Sequence, residues 1–202
     1  MSDLLIIGAG GHAKVVFDCA SQQGLFGSYT VVDSDKHKWG KEFLDTVICT
    51  EIDINPDDYS GFVCAIGHDQ IRKTLFQKYL KLGVTPVNVI HPNTYISSFC
   101  DLGLGIMMMK GATVHPDAEV GDNVIVNTHA IIEHDVKVAD HVQISPGAII
   151  CGNVSIGSLS FVGAGAVIKQ GVAIGQNCMI AAGAVVVKDV PDGQLVKGIP
   201  AK

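Results

Sequence analysis

The fold is decided by residues 126–143, which read VNTHAIIEHDVKVADHVQ. Val126 and Ile132 stand six residues apart, and the same spacing continues on both sides. Every sixth residue from Ile90 to Val186 is aliphatic or methionine. A helix repeats its apolar positions at about 3.6 residues and a half-buried strand at about two, so neither explains this period. The chain from about residue 90 onward is therefore a repeat structure.

Four positions after most of the residues in this six-residue series, the chain has a second small or apolar residue, as at Ala130, Val136 and Val142. Two inward positions in each hexapeptide describe a short flat wall followed by a corner. Three such walls close a triangular coil, and stacked coils bury their aliphatic columns against each other, as in solenoid proteins. We predict a left-handed parallel β-helix of hexapeptide repeats, with about five to six coils and no long loop.

One corner of this β-helix carries a recurring Gly-Ala pair. It is found at Gly111-Ala112, Gly147-Ala148, Gly165-Ala166 and Gly183-Ala184. Glycine suits a corner that needs a positive φ or a close approach of two backbones. His129 replaces the glycine in one coil. Histidine tolerates the left-handed conformation better than most residues, so the corner is expected to persist there.

The first part of the chain has a different pattern. LLIIGAGGHAKVVFDCASQQG predicts a strand, a glycine turn and a helix that ends at Gly24, and YTVVDSD predicts a second strand. GFVCAIGHDQIRKTLFQKYLKLG predicts a third strand, a turn and another helix. Such alternation is typical of α/β folds with a parallel sheet. We predict a half-Rossmann β-α-β domain over residues 1–88 and the β-helix domain, with a C-terminal tail, over 89–202.

The glycine turn Gly8-x-Gly10-Gly11-x-Ala13 would let a phosphate approach the backbone at a helix N-terminus. Asp33, at the end of the second strand, could then accept a hydrogen bond from a ribose hydroxyl. Tight packing explains such a turn about as well, and a strand-end cap explains Asp33 about as well. About 88 residues make one mononucleotide-binding half, which favours a nucleotide or nucleotide-sugar over NAD.

Composition excludes several classes of function. The net charge is -6, the pI is about 5.7, and no long Lys/Arg cluster is present, which argues against nucleic-acid and anionic-membrane binding. The six cysteines form no Cys-x-x-Cys pair and no secretory leader precedes LLIIGAGG, so we expect reduced core cysteines in a cytoplasmic protein. No apolar run is long enough to span a bilayer.

Several motifs together resemble the sialic-acid O-acyltransferase (NeuD) family. They are IGAGGHAKVV, AIGHDQIRK, VNTHAIIEHD, QISPGA and VVVKDVPDGQLVKGIPAK, and the resemblance covers essentially the whole chain. The family includes bacterial N-acetyltransferases that act on nucleotide-linked 4-amino-6-deoxy sugars. The resemblance implies that the N-terminal domain binds the nucleotide-sugar, that the β-helix forms a homotrimer, and that the co-substrate acetyl-CoA lies between two adjacent β-helices. No metal is expected.

The resemblance also implies a catalytic histidine in the segment N-T-x-x-x-x-(D/E)-H-(D/E), which is His134 here, followed by Asp135. Chemistry gives a reason for both residues. An amine that attacks a thioester must lose a proton, and imidazole is a suitable acceptor near neutral pH. Asp135 is the candidate for raising the basicity of His134. The backbone amide of Gly152 is the candidate donor to the thioester oxygen.

The remaining candidates are binding residues carried over from the resemblance. For the nucleotide-sugar they are Gly10, Gly11, His12, Asp33, Ser34 and Gly67. For acetyl-CoA they are Gln143, Gly152, Ala164 and Ala182, although Ala164 and Ala182 are equally typical of plain corners. Relatives commonly carry histidine at the position of Gln143 and glycine at that of His129. Arg72 could offset phosphate charge, but a helix-surface position is the commoner one for arginine.

Three other functions remain open. One is O-acetylation of sialic acid. A second is a γ-carbonic-anhydrase-like zinc enzyme, because His129 and His134 match part of that pattern; Asn93 stands where the third histidine would be needed. A third is a nucleotide-sugar-binding partner without catalysis.

His115 and His141 are expected on solvated corners. The favoured function is acetyl-CoA-dependent N-acetylation of a nucleotide-linked 4-amino-6-deoxy sugar for bacterial glycans.

Overall fold

The computed structural model describes residues 3–51 and 54–202. Its N-terminal unit is a five-stranded sheet in the order β3-β4-β2-β1-β5, with two helices. All neighbouring strands are parallel except the pair β3 and β4. The elements are β1 (Asp3–Ile7), α1 (Gly11–Gln23), β2 (Ser28–Val32), a 3-10 turn (Lys36–Lys38), β3 (Glu42–Phe43), β4 (Thr46–Cys49), a second 3-10 turn (Pro56–Asp58), β5 (Gly61–Cys64) and α2 (Asp69–Lys81).

The sequence explains the start of this unit directly. β1 is a run of aliphatic residues whose last four are fully buried, because helices and strands cover both of its sides. α1 ends where Gly24 adopts φ 70 and donates its N–H to the carbonyl of Ala20, as the sequence predicts. In the sheet, Ile7 pairs with Val32 and with Cys64, so β1, β2 and β5 end at the same edge. That edge holds the turns that lead into α1 and α2.

The rest of the chain is a parallel β-helix with three faces, each a parallel sheet of two-residue strands. Face I contains β6 (Val89–Ile90), β9 (Met107–Met108), β12 (Ile125–Val126), β15 (Gln143–Ile144), β18 (Phe161–Val162), β21 (Met179–Ile180) and β23 (Leu195–Val196). Face II contains β7 (Tyr95–Ile96), β10 (Thr113–Val114), β13 (Ile131–Ile132), β16 (Ile149–Ile150), β19 (Val167–Ile168) and β22 (Val185–Val186). Face III contains β8 (Asp101–Leu102), β11 (Glu119–Val120), β14 (Lys137–Val138), β17 (Ser155–Ile156) and β20 (Ala173–Ile174).

The six-residue column forms the core of the β-helix, which confirms the predicted fold class. Ile132 pairs with Val114 above and Ile150 below, and all three are 0% exposed. Each such burial contributes about 1.5–3 kcal/mol relative to exposure. No long loop interrupts the described coils. At the upper end, Ile90, Ile96 and Leu102 are only partly buried, because no complete coil stacks above them.

Three edges separate the faces, and each is built from the turn between two strands. Edge I/II joins faces I and II and carries the Gly-Ala corner; His129 lies there with φ 55 and keeps the left-handed conformation of its glycine neighbours Gly111 and Gly147. Edge II/III carries His134 and Asp135, and edge III/I carries Asp140 and His141. Short turns of this kind explain why the coils need left-handed residues at regular intervals.

The N-terminal unit packs against the upper part of face I. Val89, Met107 and Ile125 point outward from that face, yet each is 0% exposed because they share a cluster with Val16 and Phe17 of α1. Below this contact the outward residues of face I are Gln143, Phe161, Met179 and Leu195, and the last two are about half exposed.

One expectation about the fold, the burial of all six cysteines, needs correction. Cys19, Cys64 and Cys178 are buried as predicted, but Cys49 is exposed, and Cys100 and Cys151 are partly so. Cys49 is the last residue of the short strand β4, in which only Ile48 is buried. All six are free thiols. Among the described helices, none combines the length and the apolar character that a membrane crossing requires.

Candidate functional site

His134 and Asp135 form a hydrogen-bonded pair on edge II/III. His134 Nδ1 lies 2.7 Å from Asp135 Oδ2, and both side chains are more than half exposed. A carboxylate can only accept, so Nδ1 carries the proton and Nε2 is left as the basic atom. The hydrogen bond that His134 donates to Asp135 is the largest of the effects that raise the pKa of His134, and the charges of Asp135 and Glu133 add to it. The pair therefore presents a strengthened base to solvent.

Gly152 lies one coil below His134 on the same edge and touches its ring. A Cβ at this position would come within 2.6 Å of His134 Cε1 and 2.7 Å of Nε2, so a larger residue here would have to displace the imidazole from its present position. Asn153 N–H donates to the carbonyl of His134 at 3.0 Å and holds the two turns together. The N–H of Gly152 itself donates to no acceptor within residues 3–51 and 54–202. A free donor and a free base thus lie side by side.

The glycine turn is open in the way a ligand cradle requires. A Cβ on Gly10 or Gly11 would meet no atom within 4 Å, so packing does not demand glycine at either position. Gly8 differs, because it has φ +106 and its Cβ would lie 2.8 Å from Ile66 Cγ1. A cavity of about 310 Å³ lies over this turn, and His12, Asp33, Lys38 and Gly67 are among its lining residues.

The carboxylate of Asp33 connects the glycine turn to the end of β2 through hydrogen bonds. It accepts hydrogen bonds from the N–H of Ala9 at 2.8 Å, from the N–H of Asp35 at 2.9 Å and from Lys38 Nζ at 2.8 Å. Partial burial acts to raise the pKa of Asp33, but these hydrogen bonds outweigh it and lower the pKa below its ordinary value. The carboxylate therefore shapes the turn. Ser34 follows it on the exposed surface and does not line the cavity.

Lys38 is a functional candidate that the sequence analysis missed. Its ammonium group is paired with Asp33 and lies at the cavity over the glycine turn. A cation at this place could neutralise a phosphate that approaches Gly10 and Gly11. Lys38 follows Asp33 by five residues and lies in a 3-10 turn. No sequence motif at that spacing predicts that its ammonium group lies near the glycine turn.

His12 begins α1 beside the same cavity. Burial, and secondly the charge of Arg72, lower the pKa of His12 to about 4, so the ring is neutral at physiological pH. Its Nε2 atom is buried and has no hydrogen-bond partner within the described ranges. An unpartnered buried nitrogen is costly unless water or a ligand satisfies it. His12 can therefore offer one hydrogen bond to a bound molecule.

Gln143 lies on face I next to the N-terminal unit. Its Oε1 is 3.8 Å from the place where a Cβ on Gly67 would lie, and this oxygen is also buried without a partner among the described residues. Gly67 belongs to the cavity over the glycine turn and also to a second cavity of about 350 Å³, which Phe161 and Met179 line from face I. The structure therefore groups Gln143 with the nucleotide-sugar candidates in one protomer.

The expectations for Arg72 and His141 are wrong. Arg72 is 0% exposed, and every hydrogen bond of its guanidinium goes to protein carbonyls or to Asp69, so it is neither a surface residue nor open to phosphate. His141 is 8% exposed: it bonds Asn123 at 3.0 Å and packs on Phe76. The N-terminal unit covers both residues, a contact between distant segments that no local pattern reveals. His115 is half-buried against Tyr95.

The other predicted acetyl-CoA residues lie elsewhere on the β-helix. Ala164 and Ala182 are exposed on edge I/II in successive coils, and the carbonyl of Ala164 accepts from Gly183 N–H at 2.8 Å. Gly152 and His134 lie on edge II/III, which is opposite face I in a triangular coil. Within one protomer, the candidate residues for the nucleotide-sugar therefore lie at face I, whereas His134 lies on the opposite edge of the β-helix.

The two histidines that match a zinc pattern do not converge within the protomer. The His129 ring lies over Gly111 of the coil above, whereas the His134 ring lies over Gly152 of the coil below. Within the part of the chain that is described, no group of three or more His, Cys, Asp or Glu side chains could hold a metal ion.

Comparisons with known proteins agree with this architecture. The PglD N-terminal domain model matches residues 3–79, and the bacterial transferase hexapeptide model matches residues 135–170 and 153–188. The acetyltransferase domain of PglB from Neisseria gonorrhoeae is 34% identical, with a TM-score of 0.95 over 100% of this chain and 99% of that chain. Its complex with acetyl coenzyme A is 36% identical, with a TM-score of 0.93 over 100% and 98% of the two chains.

A second solved protein extends the comparison to a named sugar. A variant of GDP-perosamine N-acetyltransferase from Caulobacter crescentus, in complex with CoA and GDP-perosamine, is 33% identical. The match has a TM-score of 0.94 and covers 100% of this chain and 96% of that chain. The chain therefore belongs to the sugar acetyltransferase family that includes these two proteins.

Proposed function

We propose that this protein is an acetyl-CoA-dependent N-acetyltransferase that acts on the amino group of a nucleotide-linked 4-amino-6-deoxy sugar. The observation that carries the proposal is the pairing of His134 with Asp135 directly over Gly152. It supplies a base and a backbone donor side by side, as acyl transfer to an amine requires. The relatives solved with acetyl coenzyme A, and with CoA and GDP-perosamine, support both substrates.

The reaction follows from these groups. The sugar amine attacks the thioester carbon, and the oxyanion that forms accepts a hydrogen bond from the free N–H of Gly152. His134 Nε2 takes the proton that the nitrogen loses, while Asp135 stabilises the resulting imidazolium. The C–S bond then breaks, and the proton passes to the departing thiolate to give CoA and the N-acetyl sugar. No protein nucleophile is needed, because the thioester is already activated.

The glycine turn supplies the other half of the site. The diphosphate would approach Gly10 and Gly11 at the start of α1, where nothing fills the space that a Cβ would take. Lys38 would offset its charge, and His12 would donate or accept one hydrogen bond as a neutral ring. The sugar would then lie towards Gly67 and Gln143. In this proposal Asp33 orients the turn, and Ser34 is the weakest of the candidates, because it lies outside the cavity.

The three faces support assembly as a homotrimer with face II turned towards a common axis. The outward residues of face III are polar or small: Asp101, Glu119, Lys137, Ser155 and Ala173. Face I carries the N-terminal unit at one end, so it cannot pack flat against a second copy. Face II is largely apolar, with Ile131, Ile149, Val167 and Val185 outward and half-buried. Three such faces would close a ring.

In that ring, edge II/III of one protomer meets edge I/II of the next. His134 and Gly152 would then face Ala164 and Ala182 of the neighbour, and beyond them the neighbour's face I with Gln143. This arrangement brings together candidates that one protomer keeps apart, and it leaves a groove for acetyl-CoA between two β-helices. Each site would use the base of one protomer and the glycine turn of another.

Three further elements of the proposal rest on the same reasoning. We keep the division into a nucleotide-sugar domain, residues 1–88, and an acetyltransferase domain, residues 89–202. We favour an amine over a sialic-acid hydroxyl as acceptor, because a relative that matches along the whole chain is an N-acetyltransferase rather than a NeuD-type O-acyltransferase. The cellular setting is the cytoplasm, in the synthesis of bacterial glycans.

The test is product identification. Purified protein is incubated with acetyl-CoA and a panel of UDP-, GDP- and dTDP-linked 4-amino-6-deoxy sugars, with free and nucleotide-linked sialic acid beside them. Mass spectrometry of an acetylated product, with an amide that resists mild base, would support the proposal. A base-labile ester on sialic acid would contradict it in favour of O-acetylation.

A further inference from the structure

Arg72 joins the N-terminal unit to the β-helix through a fully buried guanidinium. On the β-helix side, Nη2 donates to the carbonyl of His141 at 2.6 Å and Nε donates to that of Asn123 at 3.2 Å. On the N-terminal side, Nη1 donates to the carbonyls of Ile66 at 3.1 Å and Gly67 at 3.4 Å. The side chain is 0% exposed. One planar group thus bonds three turns that are distant in sequence, one in the N-terminal unit and two in successive coils of the β-helix.

The charge of this guanidinium is compensated within the same cluster. Nη2 also lies 2.7 Å from Asp69 Oδ1, one turn earlier on α2, and this carboxylate is itself mostly buried. His141 supports the cluster from the β-helix, because its ring bonds Asn123 Nδ2 at 3.0 Å and packs on Phe76 of α2 at 5.8 Å. A buried charge held in such a network has a single geometry and little freedom to move.

The Ile66–Gly67 turn that Arg72 holds forms a wall of the proposed acceptor site. Both of its residues line the cavity over the glycine turn, and Gly67 also lines the second cavity and faces Oε1 of Gln143. The distance between this turn and face I therefore decides how wide the passage is between the glycine turn and the β-helix. The bonds of Arg72 to the carbonyls of Asn123 and His141 cross from the N-terminal unit to the β-helix and help to set that distance from a buried position, whereas the other crossing bond beside the turn, from Gln70 Nε2 to Asn177 Oδ1 at 3.2 Å, is exposed.

We propose that Arg72 is a positioning residue for the acceptor: it fixes the Ile66–Gly67 turn against the β-helix and so sets the space in which the sugar lies between the glycine turn and Gln143. This inference rests on the proposed function, because it assumes that the sugar occupies this passage. Arg72 does not touch the substrate. It acts by keeping the Ile66–Gly67 turn at a constant distance from the β-helix.

The inference makes a distinction between two ligands. A nucleoside diphosphate needs mainly the glycine turn, which Asp33 holds from within the N-terminal unit. A nucleotide-sugar also needs the passage between the two domains. A substitution of Arg72 should therefore weaken the binding of the nucleotide-sugar more than that of the nucleoside diphosphate. If the role of Arg72 were purely structural, the binding of both ligands would weaken together, because loss of folded protein removes the entire site.

The test is Arg72→Lys in the full chain, which keeps the charge but cannot reproduce the planar set of donors. Calorimetric Kd values for the accepted nucleotide-sugar and for the matching nucleoside diphosphate are measured beside KM for acetyl-CoA. We expect the Kd of the nucleotide-sugar to rise roughly tenfold, with the other two constants within about threefold of wild type. Lys78→Ala, on the exposed ion pair of the same helix, is the control and should change none of them.

Two outcomes would overturn the inference. Equal weakening of both ligands, or of neither, in a folded Arg72→Lys protein would contradict it while the proposed function stands. A wild-type protein that binds neither ligand would overturn the proposed function and the inference with it. If Arg72→Lys does not fold, His141→Asn serves instead, because it keeps a residue suited to the left-handed corner but removes the ring on Phe76. His141→Asn should also raise the Kd of the nucleotide-sugar more than that of the nucleoside diphosphate, by a smaller factor than Arg72→Lys. If this difference between the two ligands is absent, the inference is contradicted.

Discussion

The His134 imidazole lies against Gly152, one coil below, in space that a side chain at residue 152 would occupy. The virtual Cβ of Gly152 lies 2.6 Å from Cε1 and 2.7 Å from Nε2 of the ring. Asp135 holds the opposite nitrogen at 2.7 Å. The ring therefore has a neighbour on each side although it is exposed, and its basic nitrogen lies close to Gly152, whose N–H has no acceptor among the described residues.

Gly152→Ala should separate catalysis from folding. The added methyl must displace the imidazole, which moves the base and crowds the proposed oxyanion donor. We expect kcat to fall by about a hundredfold, with acetyl-CoA binding little changed. Gln170→Ala, an exposed position one coil further along the same edge, is the control and should retain wild-type turnover. A Gly152→Ala enzyme with normal kcat would show that the ring position is unimportant.

Asp135→Asn should move the acid limb of the pH profile. The neutral imidazole is the active form, so activity is lost as pH falls through the pKa of His134. Asp135 raises that pKa, chiefly through its hydrogen bond, so the limb should lie at higher pH than it would for a histidine without this partner. The asparagine variant should show the limb at lower pH together with a lower maximal rate. A kcat/KM profile whose limb stays in place would mean that another group titrates.

Two of the three glycines in the turn, Gly8 and Gly10, should respond differently to alanine. Gly10→Ala meets open space, so its thermal midpoint should match wild type while KM for the acceptor rises about tenfold. Gly8→Ala combines φ +106 with contact to Ile66, and we expect it to lose about 1–3 kcal/mol of stability. Differential scanning calorimetry with steady-state kinetics separates the two effects. A destabilised Gly10→Ala protein with a normal KM would argue for packing rather than phosphate binding.

A mixing experiment tests whether two protomers share each site. His134→Ala removes the base, and Gly10→Asp places a negative charge where phosphate would bind. Each variant alone should be inactive. In trimers formed at random from equal amounts, about a quarter of the sites combine an intact His134 with an intact neighbouring glycine turn. Recovery near that fraction of wild-type activity is expected after co-expression. Continued inactivity in verified mixed trimers would place the whole site in one chain.

Sequence alone could predict the elements that depend on local repeats. The column that contains Ile132 and Ile150 defines the coils because every hexapeptide makes the same contact with the next coil. Gly24 ends α1 because a left-handed residue at that point stops the helix. His129 keeps φ 55 in a glycine column because the coil geometry outweighs its side-chain preference.

Contacts between the two domains could not be predicted in this way. Arg72 has the spacing of a surface residue on α2, and His141 stands in a turn between two faces of the coil, where its local sequence predicts exposure. Both are buried only because the N-terminal unit packs on face I, a relationship between segments about seventy residues apart. The proximity of Lys38 to the glycine turn is also a tertiary contact, but it arises within the N-terminal unit, where Lys38 and the N–H of Ala9 both donate to Asp33. Gln143 was assigned from a motif, and its contact with Gly67 emerged only from the packing of the domains.

The most direct test of the central claim is the turnover of His134→Ala with the accepted nucleotide amino-sugar. Thiol release from acetyl-CoA is followed at saturating substrates, and acetyl-CoA binding is measured separately by calorimetry. If His134 is the base, kcat should fall by about 10²–10⁴-fold while acetyl-CoA still binds. A variant that keeps kcat within about twofold of wild type would contradict the proposed mechanism, because no general base in use can be removed at so small a cost.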